Sequence, residues 1–165
     1  MQIRELLLPE YDREMEKTRA TLARVPENDG EFKPHEKSTM LKKLSGHLAQ
    51  LPLFGEMILT TPEFDMAVNR MQPLIMESQK QLLQAFDGQV KETREKLAAA
   101  SDEALFAPWK LSAGERVIMK GTRYEMLRGL MLNHIVHHRA QLGVYLRMKD
   151  VPVPSIYGPS ADEAN

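Results

Sequence analysis

Apolar residues recur along most of this chain at steps of three and four, the spacing that gathers them on one face of an α-helix. Leu7, Tyr11, Met15, Thr18 and Leu22 mark the first stripe and predict a helix from Gln2 to Arg24. The polar run Pro26-Glu27-Asn28-Asp29-Gly30 ends it as a loop. A second helix is expected to begin near Ser38, a natural N-cap, with Met40, Leu44, His47, Leu51 and Phe54 on one stripe. Pro52 should tighten or kink its end. From Gly55 to Met76 the periodicity weakens and Pro62 and Pro73 interrupt it, which reads as a long connection with one strand-like or helical turn. Leu83, Phe86, Val90, Thr93 and Leu97 then predict a third helix over Glu77 to Ala100, with Gly88 a tolerated weak point.

Ser101-Asp102 starts a new turn, after which helical spacing lapses. Trp109-Lys110-Leu111 and Arg116-Val117-Ile118-Met119, separated by Ser112-Ala113-Gly114-Glu115, predict a small hairpin. Thr122 and Glu125 form the signature of a capping box for a last helix that runs to Lys149. Its apolar face is built from Leu127, Leu130, Met131, Leu142, Tyr145 and Met148. Pro152, Pro154 and Pro159 then exclude helix, so the C-terminus reads as an extended tail whose apolar residues pack back on the body. Four amphipathic helices sharing one core predict an all-α, four-helix bundle, a single domain over residues 1–165.

Composition mainly excludes. The formal net charge is −1, with no basic block, so no cationic face for nucleic acid is expected. No stretch approaches the roughly twenty apolar residues of a membrane span. The charged first turn and the short run Leu6-Leu7-Leu8 do not read as a signal peptide, which leaves a cytoplasmic protein as the expectation. There is no cysteine, which removes disulfides, thiolate ligands and cysteine nucleophiles together. Imidazole and carboxylate are the ligands left for a metal.

That choice matters because His134, His138 and Gln141 fall within roughly 40° of the apolar stripe of the last helix, at about 100° per residue. Polar groups placed there need partners. Two histidines at i, i+4 share a helix face and can grip one ion. His47 repeats the pattern on the second helix, and a bundle can set it opposite the pair. Three imidazoles leave a coordination position open, as catalytic sites require. The set suits zinc, nickel, iron or copper, so spacing does not choose the metal. Gln141 is placed to hold His138 or a water. The structural alternative is that these rings are satisfied core residues. His137 lies about 60° off the stripe centre and reads as a boundary residue, the substitute ring should His134 or His138 not take part. His35 is expected to be exposed. Arg139 points away from the histidine stripe, as for a structural ion pair or dimer contact. The eleven methionines read as core filler, and Trp109 as a cap on one end of the bundle or the lining of a pocket.

The segment Asn133-His134-Ile135-Val136-His137-His138-Arg139-Ala140-Gln141-Leu142-Gly143-Val144-Tyr145-Leu146-Arg147, with the tail Pro154-Ser155-Ile156-Tyr157-Gly158-Pro159-Ser160-Ala161-Asp162, resembles the DinB (damage-inducible) family of DinB/YfiT-like proteins. Pro34-His35-Glu36-Lys37-Ser38 and Gly46-His47 fit as well. The resemblance implies a four-helix bundle, often a homodimer, holding a divalent metal on His47, His134 and His138. Zinc or nickel is the first expectation, with iron or manganese as alternatives. The family includes metal-dependent transferases that use low-molecular-weight thiols such as mycothiol and bacillithiol. The leading expectation is therefore a thiol S-transferase acting on a small molecule. A metal-dependent hydrolase and a non-catalytic, stress-linked dimeric scaffold are the alternatives.

Overall fold

The computed structural model describes residues 1–164 and is mostly helical, with one small sheet. Helix α1 (Ile3–Leu22) opens with a capping box between Gln2 and Glu5 and buries Leu7, Tyr11, Met15, Thr18 and Leu22, the stripe read from the sequence. Helix α2 (Leu41–Thr60) starts three residues after the expected Ser38 cap. Ser38 instead closes a turn, its amide donating to the carbonyl of His35. Nor does α2 stop near Pro52; the proline sits inside it. Helix α3 (Gln79–Ala99), capped by the Ser78 hydroxyl, offsets that cost. The Thr93 hydroxyl donates to the Pro52 carbonyl at 2.8 Å. The Gln89 amide, in the orientation that satisfies both its atoms, donates to the carbonyls of Ala49 and Gln50. The turn around the proline is thus tied by hydrogen bonds to the neighbouring helix.

Between α2 and α3 lies β1 (Phe64–Asp65). After α3 come a short helix α4 (Asp102–Phe106) and the hairpin β2 (Pro108–Ala113) and β3 (Arg116–Thr122). The hairpin is longer than the sequence suggested, and β1 pairs parallel to β2 to give the order β1-β2-β3. Gly114 takes φ of 61° in the hairpin turn, a conformation that favours glycine. Trp109 is buried, and its indole nitrogen donates to the Thr61 hydroxyl at 3.2 Å, where α2 meets the sheet.

The last helical stretch is continuous but not uniform. Helix α5 (Arg123–Met126) begins with the expected capping box of Thr122 and Glu125. It passes into a π-helical segment, Leu127–Asn133, and then into helix α6 (His134–Met148). Helix α3 packs on α1 and α2, and α6 also packs on α1 and α2. Leu22, Leu48, Leu51, Leu82, Phe86, Leu97, Ile135, Leu142 and Leu146 fill the core between them. Leu83 and Val90, expected at the inward face of the third helix, are only partly buried; Leu82 is fully buried. Met148, expected on the apolar face of the last helix, is 53% exposed. No helix among the described residues is long and apolar enough to cross a membrane.

The connection from Pro62 to Ser78 is tied to α2 beside His47. Gln50 donates to the Gln72 carbonyl at 2.9 Å and accepts from the Leu74 amide at 2.7 Å. A Cβ on Gly46 would stand 2.0 Å from the Leu74 carbonyl oxygen. Gly46→Ala is therefore expected to lower stability by about 1–3 kcal/mol as overpacking does, although the same change in an open helix raises it. Urea denaturation reads this directly; a neutral result would mean that the connection lifts freely from α2.

Candidate metal centre

Three imidazoles from two distant helices converge. His47 comes from α2, and His134 and His138 come from successive turns of α6. The Nε2 atoms of His47 and His134 are 3.5 Å apart, and those of His134 and His138 are 2.9 Å apart. One nitrogen from each ring lies within 4.8 Å of the others. Nitrogens on a tetrahedral ion with bonds of about 2.0–2.1 Å stand roughly 3.3–3.4 Å apart, so the cluster is of the right size.

Two of the second nitrogens identify the tautomers. His138 Nδ1–H donates to Gln141 Oε1 at 2.7 Å, and His134 Nδ1–H donates to the Leu130 carbonyl at 3.3 Å. The Leu130 carbonyl can only accept, so the His134 proton sits on Nδ1 and its Nε2 carries a lone pair; with Gln141 presenting Oε1, His138 is set the same way. Two bare lone pairs at 2.9 Å repel each other unless something positive lies against them. Burial pushes all three rings below the ordinary histidine value, so they are neutral near pH 7. His47 is pushed down to about 4, by burial first and then by the neighbouring His138 and His134. Neutral rings with inward lone pairs are the form a divalent ion needs, and the residues present fit one.

The rings are half-buried rather than central to the core, and Gln141, expected to face inward, is exposed. His137 is also exposed, its ring 4.8 Å from that of His138, and His35 is exposed in its loop as expected. Arg139, next to His138, is 3% exposed and makes the structural ion pair expected of it, with Glu14 of α1. A cavity of about 550 Å³ lies between α6 and the C-terminal tail, lined by Val136, Arg139, Val144, Met148 and Tyr157 among others. A second of about 660 Å³ lies against Trp109, Lys110 and Lys120 of the hairpin. A third of about 340 Å³ lies under Phe54, Phe64 and Met71. None of these three hollows is lined by the histidines, and polar convergence, not volume, marks the site.

The sequence profile of the DinB family matches residues 1–165. The chain belongs to the DinB family. The fold of this DinB protein is similar to that of a DinB-like protein from Bacillus subtilis, with a TM-score of 0.70 over 92% of this chain and 97% of that one, at 18% identity. A DinB-like protein from Bacillus cereus ATCC 10987 is similar to the same degree, with a TM-score of 0.72, 19% identity, and coverage of 94% and 98%. No curated protein matches the chain. In this DinB protein Gln141, read from the sequence as a partner for His138 or a water, meets His138, whereas the Leu130 carbonyl was missed because a main-chain acceptor leaves no residue-type signal.

Proposed function

We propose that His47, His134 and His138 hold one divalent metal ion, zinc or nickel first, in a bundle formed by the four long helical stretches. The observation that carries this reading is the close set of inward-facing Nε2 atoms, two of them stripped of protons by partners on Nδ1. Among the described residues no carboxylate belongs to the cluster, so the three histidines offer neutral ligands and leave the ion's charge available to an anionic partner. Bound there, the ion would favour the thiolate form of a small thiol, whose unperturbed pKa is about 8.5 in free cysteine.

The reaction we propose is transfer of a low-molecular-weight thiol to an electrophilic carbon. A sulfur–carbon bond forms, the bond from carbon to the leaving group breaks, the leaving group departs with its electron pair, and the thiol proton passes to solvent. The chain has no cysteine, so the thiol is a diffusible cosubstrate. The half-buried position of the rings supports access from solvent. In turn, His138 is held by Gln141 and His134 by Leu130, so neither ring has to reorganise when a ligand arrives.

Elemental analysis of protein purified without a histidine tag should find about one divalent ion per chain. Protein loaded with zinc or nickel should conjugate a small thiol to an alkylating test substrate, and His138→Ala should remove that activity. Equal activity in wild type and His138→Ala, or product release from esters in the absence of thiol, would overturn the transferase reading. Light scattering in solution checks the homodimer that we propose for two copies of this chain.

A further inference from the structure

The helix that carries two of the histidines changes register just before them. Met126, Leu127, Leu130, Met131 and Leu132 are buried ahead of His134, and Ile135, Arg139, Leu142, Tyr145 and Leu146 after it. On a uniform wheel the centres of these two buried sets lie roughly 100° apart, one residue's worth of rotation. A straight α-helix cannot turn both sets toward one core. The π-helical segment Leu127–Asn133 absorbs the surplus residue in wider turns. Its packing is close: a Cβ on Gly55 of α2 would stand 2.4 Å from Met131 Sδ.

This register change has two consequences for the site. Referred to the buried face of α6 alone, His134 and His138 lie toward one edge, which is why they are half-buried and meet His47 at the surface of the core. The main chain also shifts: the His134 amide donates to Met131, three residues back, while the Leu130 carbonyl takes the His134 imidazole instead. We propose that this π-helical turn is the positioning element of the histidine site: it leaves the Leu130 carbonyl free to hold His134 through Nδ1, with Nε2 bare. The proposal rests on the metal reading above.

Deletion of Asn133, an exposed residue of the segment, brings the two buried sets into phase in a plain α-helix and keeps both rings at the same angle to the buried face of α6, so it removes only the wider turn that frees the Leu130 carbonyl. Without metal the variant should melt cooperatively at or above the wild-type temperature. Its zinc affinity, measured by calorimetry against a competing chelator, should fall about tenfold or more, as when a ligand's outer partner is lost. Zinc affinity equal to wild type would overturn the inference and leave the metal reading standing. A wild type that takes up no zinc would instead remove the metal reading. Nitrogen NMR of the metal-free wild type decides the ring-fixing claim without any variant, including the case in which the deletion prevents folding. His134 protonated at Nδ1 supports it, and His134 protonated at Nε2 overturns it.

Discussion

Glu14→Ala is expected to destabilise the protein by about 3–5 kcal/mol, the usual cost of stranding a buried charge. Its carboxylate Oε2 accepts from Arg139 Nη2 at 2.6 Å and from the Tyr157 hydroxyl at 2.8 Å. Arg139 also donates to the Glu14 carbonyl at 3.1 Å, to the Thr18 hydroxyl at 3.2 Å and to Tyr157 at 2.6 Å. One carboxylate thus ties α1, α6 and the C-terminal tail together. The tail is held further by Arg147–Asp162 and Arg24–Glu163, and it loops back on itself through Ser155 and Glu163. With the carboxylate gone, the guanidinium remains buried beside neutral oxygens only. Arg139→Ala should cost a similar amount for the mirror-image reason. Tyr157→Phe should cost about 1 kcal/mol, the scale of one hydrogen bond. Replacing both charges together, Glu14→Leu with Arg139→Met, should recover most of the loss, since a well-packed apolar pair matches a buried ion pair. Urea denaturation of the four variants measures this. A Glu14→Ala loss below about 1 kcal/mol would mean that water reaches Arg139 and that the pair behaves as a surface contact.

The ends of α1, the hairpin and the capping box at Thr122 were legible because each rests on local spacing or on a local hydrogen bond. Pro52 misled because the turn around it is held by Gln89 and Thr93, which lie on another helix. The α2 cap was placed too early because Ser38 can close a turn as readily as cap a helix. Most informative is the last helix. A uniform wheel mixed Leu127, Leu130 and Met131 with Leu142, Tyr145 and Met148 into one stripe and set the histidines at its centre. With the π-helical turn the two halves separate, Met148 and Gln141 move to the surface, and the histidines move to the edge. That these three rings come together was nevertheless legible, because i, i+4 spacing survives within α6 and His47 lies on the matching stripe of α2. How far from solvent they sit depended on a change of helical pitch that residue types do not announce.

Loss of any one ring of the cluster is expected to weaken binding of a divalent ion by more than about 100-fold, beyond the 10- to 100-fold that an outer partner contributes. His47→Ala, His134→Ala and His138→Ala should fall in the first range and Gln141→Ala in the second, since Gln141 only orients His138 through Nδ1. The pH dependence follows from the same geometry. Protons compete with the ion for the Nε2 lone pairs. A free imidazole is half protonated at pH 6.5, but burial holds His47 down to about 4 and lowers His134 and His138 as well. Affinity should therefore hold to lower pH than it would on three free imidazoles, and fall as the pH drops through the depressed values. Without metal, stability runs the same way. The unfolded chain takes up its histidine protons near 6.5 while folded His47 resists them to about 4. The stability tied to His47 is thus complete above 6.5, declines as the pH falls from 6.5 toward 4, and is lost below that. Excess zinc should raise the melting temperature at pH 7 and lose that effect at the acid end of this window, because the ion binds only the folded, deprotonated cluster. Melting temperatures across the pH range, with and without zinc, decide the matter. Zinc stabilisation that already halves at pH 6.5 would show that the rings titrate as free imidazoles and do not share a partly buried site.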